Sequence, residues 1–166
     1  MAQIRDPEKL FEHELGIALG AERKVLTTLR KLERRAQRGE LKQQFHHHLE
    51  ETEGQIKNLE QAFQTLGARA SAREADSANG IAAEGEKLME KVDDQLIDPV
   101  LLAAAAKTEH VEIAMYEDLI TMAQAMGADQ VVSLLEENLE QEKHTLEEVK
   151  EASEKLSKEL ATHMTA

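Results

Sequence analysis

The chain has no cysteine and no tryptophan, only two prolines, one tyrosine and three phenylalanines, and eight glycines among 166 residues. Without cysteine there is no disulfide framework, no sulfur-ligated zinc, no iron–sulfur cluster and no thiol nucleophile, so any metal must sit on carboxylate and imidazole. The scarcity of proline and glycine, beside abundant Ala, Leu, Glu, Lys and Gln, favours helix nearly throughout and leaves no place for strands. No apolar run approaches the roughly 20 residues that span a bilayer. Met1 to Lys9 lacks the basic, apolar and small-residue zones of a signal peptide, so no membrane partner is expected and the cytoplasm is the expected compartment. Positive charge is also short: 20 Lys and Arg face 33 Asp and Glu, a formal net charge of -13. No basic arm relieves that balance, which repels phosphate backbones, and nucleic acid is not an expected partner. With this length and no break in composition, residues 1–166 are expected to form a single domain.

What is present is helical periodicity. Asp6-Pro7 is an N-cap and first-position pair, and apolar residues follow at Phe11, Leu15, Ala18, Val25, Leu29, Leu32 and Ala36. Steps of three and four describe one face of a long helix. Gly39 interrupts it, and a second helix carries Leu41, Phe45, Leu49, Ile56, Leu59, Phe63 and Leu66 before Gly67. The short turn makes the two an antiparallel hairpin. From Ala68 to Gly80 the chain is small and polar, and it leads to a short helix from Ile81 to about Val92. Asp98-Pro99 repeats the start signal for a third helix with Leu102, Ala105, Tyr116, Leu119, Ala123 and Met126, which ends at Gly127. A fourth begins near Asp129 and carries Val132, Leu135, Leu139, Leu146, Val149, Leu156 and Leu160. Two antiparallel hairpins joined by a long crossover with a short extra helix predict an all-α fold, the ferritin-like four-helix bundle.

The residues that interrupt the apolar stripes carry the functional information, because a charge in a core costs several kcal/mol (roughly) unless it is paired or holds a metal. Glu22 lies between Ala18 and Val25, Glu109 and Glu112 occupy successive stripe positions one turn apart, and Glu142 lies between Leu139 and Leu146. Each falls near the middle of its helix, and Glu112 and Glu142 are equally far from Gly127, which sets them opposite each other in a hairpin. Acids do fall on stripes by chance, chiefly at frayed ends; convergence of three helices at one level is what marks a site. The second helix offers His48 and Gln55 on its inner face and Glu51 on its flank, and spacing alone does not choose among them. His46, His47, His110 and His144 point away from that face and read as surface. Tyr116, one heptad after Glu109, faces inward and reads as core. So many carboxylates in an apolar layer repel one another unless cations neutralise them, and oxygen-rich ligation with one imidazole suits two iron ions, with manganese as the alternative. Carboxylates that bridge can hold such a pair about 3.5 to 4 Å apart.

The segments His48-Leu-Glu-Glu-Thr-Glu-Gly-Gln-Ile, Glu109-His-Val-Glu-Ile-Ala-Met-Tyr116 and Glu140-Gln-Glu-Lys resemble the YciF-type ferritin-like proteins of bacteria, over nearly the whole chain. That resemblance implies a part in stress responses. More distantly the pattern is similar to the rubrerythrins, and the similarity implies that Glu22, Glu51, Glu109, Glu112 and Glu142 take the carboxylate places of a di-iron site. The rubrerythrin histidine one turn after the second-helix glutamate is Gly54 here, Thr145 stands one turn after Glu142, and His48 is the candidate substitute. The cysteine-ligated iron domain of rubrerythrins has no counterpart. The resulting expectation is a di-metal oxidoreductase acting on peroxide or O2, by peroxide disproportionation or ferrous oxidation, and forming a homodimer; Ile113, Ile120 and Met122, apolar outside the inner stripes, either line its interface or pack under the crossover helix. The alternative is a non-enzymatic helical stress protein that binds a partner or assembles.

Overall fold

The computed structural model describes residues 3–164. Four long helices form the bundle: α1 Pro7–Arg35, α2 Gly39–Thr65, α4 Ile97–Ala125 and α5 Asp129–Met164. A shorter α3, Asp76–Met89, and a 3-10 turn, Asp94–Leu96, lie in the crossover between the hairpins. Asp6 caps α1 through the Glu8 amide at 2.9 Å, with Pro7 in the first turn. Gly67 and Gly127, at φ of 69° and 66°, close α2 and α4 in the left-handed region that glycine adopts without strain.

Two apolar cores form along the bundle axis. One gathers Phe11, Leu15, Leu19, Leu59, Phe63 and Leu135 around the α2–α3 and α4–α5 ends. The other gathers Val25, Leu29, Phe45, Leu101, Leu102 and Val149 around the opposite end. The stripe glutamates lie in the layer between them. On α5 the buried residue of the first turns is Val131 rather than the expected Val132, which sits half-buried at the core edge. Ile120 is buried, while Ile113 and Met122 stay half-buried on the flank of α4.

Two expected boundaries differ. The crossover helix begins at Asp76, five residues before Ile81, and ends at Met89 rather than Val92. Its first turn docks Ala75 and Ala78 onto Ala21 of α1, so tertiary packing carries helix through a stretch whose Gly80 and small polar residues read locally as connection. Asp98 does not start α4, which begins at Ile97 with Leu96 at its N-cap. Buried at 4 % exposure, the Asp98 carboxylate instead accepts from the backbone N–H groups of Gln37 at 2.7 Å and Arg38 at 3.2 Å. It thereby satisfies the turn into α2, whose own N-cap residue, Arg38, supplies no side-chain acceptor.

The crossover is seated by two glycines on α1. Arg73 N–H donates to the Gly16 carbonyl at 2.8 Å. A Cβ on Gly20 would lie 1.7 Å from the Arg73 carbonyl oxygen, and one on Gly16 would lie 2.7 Å from that of Ser71. Gly20→Ala is therefore expected to lift the crossover off α1 and destabilise the protein by about 2 kcal/mol or more, the scale of severe overpacking. Gly54→Ala, which meets nothing within 4 Å, should stabilise by about 0.5–1 kcal/mol as an ordinary helix-interior change. Urea titration of the two variants checks this, and equal midpoints would remove the seating role from Gly20.

Candidate metal centre

Between the two cores, α1 contributes Glu22, α2 contributes His48 and Gln55, α4 contributes Glu109 and Glu112, and α5 contributes Glu142. All six are buried, at 3 % exposure or less. Helix periodicity places the α4 pair on one face, and the antiparallel α4–α5 hairpin sets Glu142 across from it.

The ligand atoms fall into two groups that share one member. Atoms of His48, Glu109 and Glu142 lie within 4.8 Å of one another, and so do atoms of Glu22, Glu112 and Glu142. In the first group, His48 Nδ1 is 3.7 Å from Glu109 Oε1 and His48 Nε2 is 3.8 Å from Glu142 Oε2. These separations exceed hydrogen-bond length, and an ion between such atoms would touch both. Both oxygens of Glu109, Glu112 and Glu142, one oxygen of Glu22 and Nε2 of His48 are buried without a hydrogen-bond partner. Folded proteins pair the large majority of buried polar atoms, so this concentration is unusual, and a cation among them would satisfy them.

The electrostatics agree with the geometry. Burial pushes Glu22, Glu109 and Glu112 well above the usual carboxylate range, and the neighbouring carboxylates add to the shift. Glu142 is raised as well, again mainly by burial. Burial lowers His48 to about 4, so its ring is neutral at pH 7 and has a lone pair to offer. The donor set, oxygen-rich with one neutral imidazole and a shared carboxylate, fits a pair of iron or manganese ions.

The sequence expectations meet the structure unevenly. Glu22, His48, Glu109, Glu112 and Glu142 come together. Glu51 stays at the rim, where its carboxylate accepts from Thr145 Oγ1 at 3.4 Å and lies 3.5 Å from His47 Nε2. The inner position one turn further along α2 belongs to Gln55, whose buried amide faces Glu142 and opposes the rise that burial causes in that carboxyl. His46, His47, His110 and His144 are exposed. Tyr116 is fully buried and donates its hydroxyl to Glu22. Burial and the facing carboxylates push its phenol well up, which keeps that proton in place.

Asn138 was not singled out in the sequence. Its Nδ2 donates to the Tyr116 hydroxyl at 3.0 Å and to the Gln55 carbonyl at 3.3 Å, while its Oδ1 accepts from Asn58 at 2.8 Å. The spacing of four residues from Asn138 to Glu142 was the available signal, hidden because Leu139 competes for the same turn of the stripe. Together, Asn58, Asn138 and Tyr116 fix the orientation of Glu22.

The family model described as "Domain of unknown function (DUF892)" matches residues 6–162. Protein YciF of Escherichia coli (strain K12) is 36% identical over 140 residues, 83% of this chain and 84% of that protein. The chain belongs to the YciF-type family. Among solved structures, the E. coli stress protein YciF superimposes with a TM-score of 0.88 at 32% identity, covering 93% of this chain and 99% of that one. YcfI from Rhodopseudomonas palustris gives 0.87 at 32% identity, covering 89% of this chain and 95% of that one. A protein from Xanthomonas campestris pv. campestris shares the fold, with a TM-score of 0.76 at 21% identity over 97% of this chain and 100% of that one. In this member of the YciF-type family, the buried carboxylates lie inside the matched span. Among the described residues no helix is long and apolar enough to cross a membrane.

Proposed function

We propose that this YciF-type chain is a stress-response protein whose bundle holds two iron ions, or two manganese ions, and acts on peroxide or O2. The observation that carries the reading is the set of unpartnered, buried carboxylate oxygens divided between two ligand groups that share Glu142. Glu22 and Glu112 would hold one ion, His48 and Glu109 the other, and Glu142 both. Bound there, two ions that change oxidation state would pass electrons from one peroxide to a second, giving O2 and water, or from ferrous iron to O2 or peroxide. The rest of the work falls to the chain. The flanking apolar cores exclude water and strengthen every charge interaction in the layer. The Tyr116 hydroxyl holds one Glu22 oxygen and leaves the other free for a ligand role. The chain has no cysteine with which to hold a sulfur-ligated electron carrier of its own, which favours these two reactions over reductase turnover.

The test is peroxide decomposition and ferrous oxidation by metal-free, iron-loaded and manganese-loaded protein, beside Glu112→Ala. Loaded protein is expected to accelerate at least one reaction well above free metal, and the variant is expected to lose that gain. Rates equal to free metal in every sample would support the non-enzymatic role instead.

A further inference from the structure

A narrow space of about 30 Å³, partly open to solvent, lies beneath the crossover helix and reaches two residues of the site. Its inner end is lined by His48 and Glu109, the group that is free of Tyr116, and its outer part by Ala78, Ala82 and Ala104. A neighbouring space of about 20 Å³ shares Thr28, Leu32, Ala82 and Ala104 with it and continues the seam between α1, α3 and α4. The space exists because small residues meet there. Ala82 of α3 and Ala104 and Ala105 of α4 end at Cβ, and Gly85 approaches Ala104 without a side chain of its own.

The lining is close to inert. Thr28 and Thr108 could offer hydroxyl protons, but each donates to a carbonyl of its own helix, Lys24 at 2.9 Å and Ala104 at 3.1 Å. A hydrated cation would have to shed water against alkyl walls and pass the Lys24 ammonium. Hydrogen peroxide would leave its hydrogen bonds unmade along the way. An uncharged diatomic pays neither cost, so the alkyl walls favour it over water, ions and peroxide.

We propose that this seam is the entry and holding site for dioxygen, delivering it to the His48–Glu109 side of the centre. Delivery to a metal rests on the functional reading above; gas binding in the seam does not. The threshold is set by alanines. Ala82, half-buried on the crossover helix, is the residue whose enlargement closes the seam with least disturbance to the bundle.

The experiment is xenon pressurisation of crystals of the full chain, paired with paramagnetic relaxation of methyl signals by dissolved O2 in the metal-free protein. A xenon peak is expected between Ala82, Ala105 and Leu29. O2 relaxation of the Ala105 methyl, itself buried, should exceed several-fold that of Ala123 and Leu135, which are buried in the other core and line no part of the seam. Ala82→Phe should abolish the peak and bring the Ala105 methyl down to the core level, with unchanged helical circular dichroism. No xenon peak and uniform relaxation in the wild-type chain would overturn the inference, whatever the variant does. Metal content measured on the same preparation separates the two failures: a gas-binding seam in a chain that takes up no metal contradicts the functional reading alone, and metal uptake with an empty, unrelaxed seam contradicts this inference alone.

Discussion

Glu142→Gln is expected to remove both metals at once. Its carboxylate belongs to both ligand groups, whereas Glu22 and Glu112 belong to one and His48 and Glu109 to the other. The amide keeps the volume of the acid, so the packing of α5 against α4 survives, yet it provides one neutral oxygen where two anionic ones stood. Glu112→Gln or His48→Ala should leave one ion bound, more weakly than in the pair. Glu142→Gln is also expected to make the metal-free chain more stable, because Glu142 is buried and a neutral amide is cheaper to bury than a carboxylate. Loss of metal with a gain in metal-free stability is the signature of a ligand. A structural core residue loses stability under any polar swap, and that result for Glu142→Gln would place it outside the ligand set. Equilibrium dialysis with elemental analysis, followed by urea unfolding of the metal-free forms, reads both quantities.

The second large effect is a pH dependence that reverses with metal. In the metal-free chain Glu22, Glu109, Glu112 and Glu142 have raised folded pKa values, whereas the unfolded chain ionises them near the ordinary 4.5. Above that pH the folded state holds more protons than the unfolded one, so stability falls as pH rises. His48 acts in the opposite sense. Its folded value of about 4 lies below the ordinary 6.5, so its contribution is lost as pH falls through that interval. Four carboxylates outweigh one imidazole, and the melting temperature of metal-free protein is expected to decline from about pH 5.5 to about pH 8. Metal-loaded protein should do the reverse, since ligands that have shed their protons bind more tightly. Calorimetric melts of both forms across this range check the crossing, and Glu112→Gln should flatten the metal-free slope. A metal-free protein that gains stability steadily to pH 8 would mean that the carboxylates are not confined together as described.

The acids of α1, α4 and α5 were legible in the sequence because each replaces a single apolar residue in a long, regular stripe, and because hairpin geometry fixes the level of Glu112 against Glu142. Helix two was harder. Its inner face carries His48, Thr52 and Gln55, while Glu51 stands beside that face, so the acid that family resemblance favours lies at the rim and an uncharged amide lies within. Stripe counting resolves a face only to about the 100° turned per residue, which leaves a flank position undecided. The two boundary differences have one cause. Asp98 carries a start signal for its own helix but turns its carboxylate to the backbone of the turn into α2, and helix starts at Asp76 because α1 offers Ala21 for Ala75 and Ala78 to pack against. Neither partner is adjacent in sequence. Asn138 escaped notice for the same reason, since a buried asparagine is explained only by the Tyr116 and Gln55 groups it meets across the bundle.

The most direct test of the two-metal centre is anomalous scattering from crystals grown with ferrous or manganous ion, with data collected on either side of the metal edge. Two anomalous peaks are expected in each chain, one between His48, Glu109 and Glu142 and one between Glu22, Glu112 and Glu142; no peak in this layer, or a single one that leaves either group unoccupied, would rule out a two-metal centre.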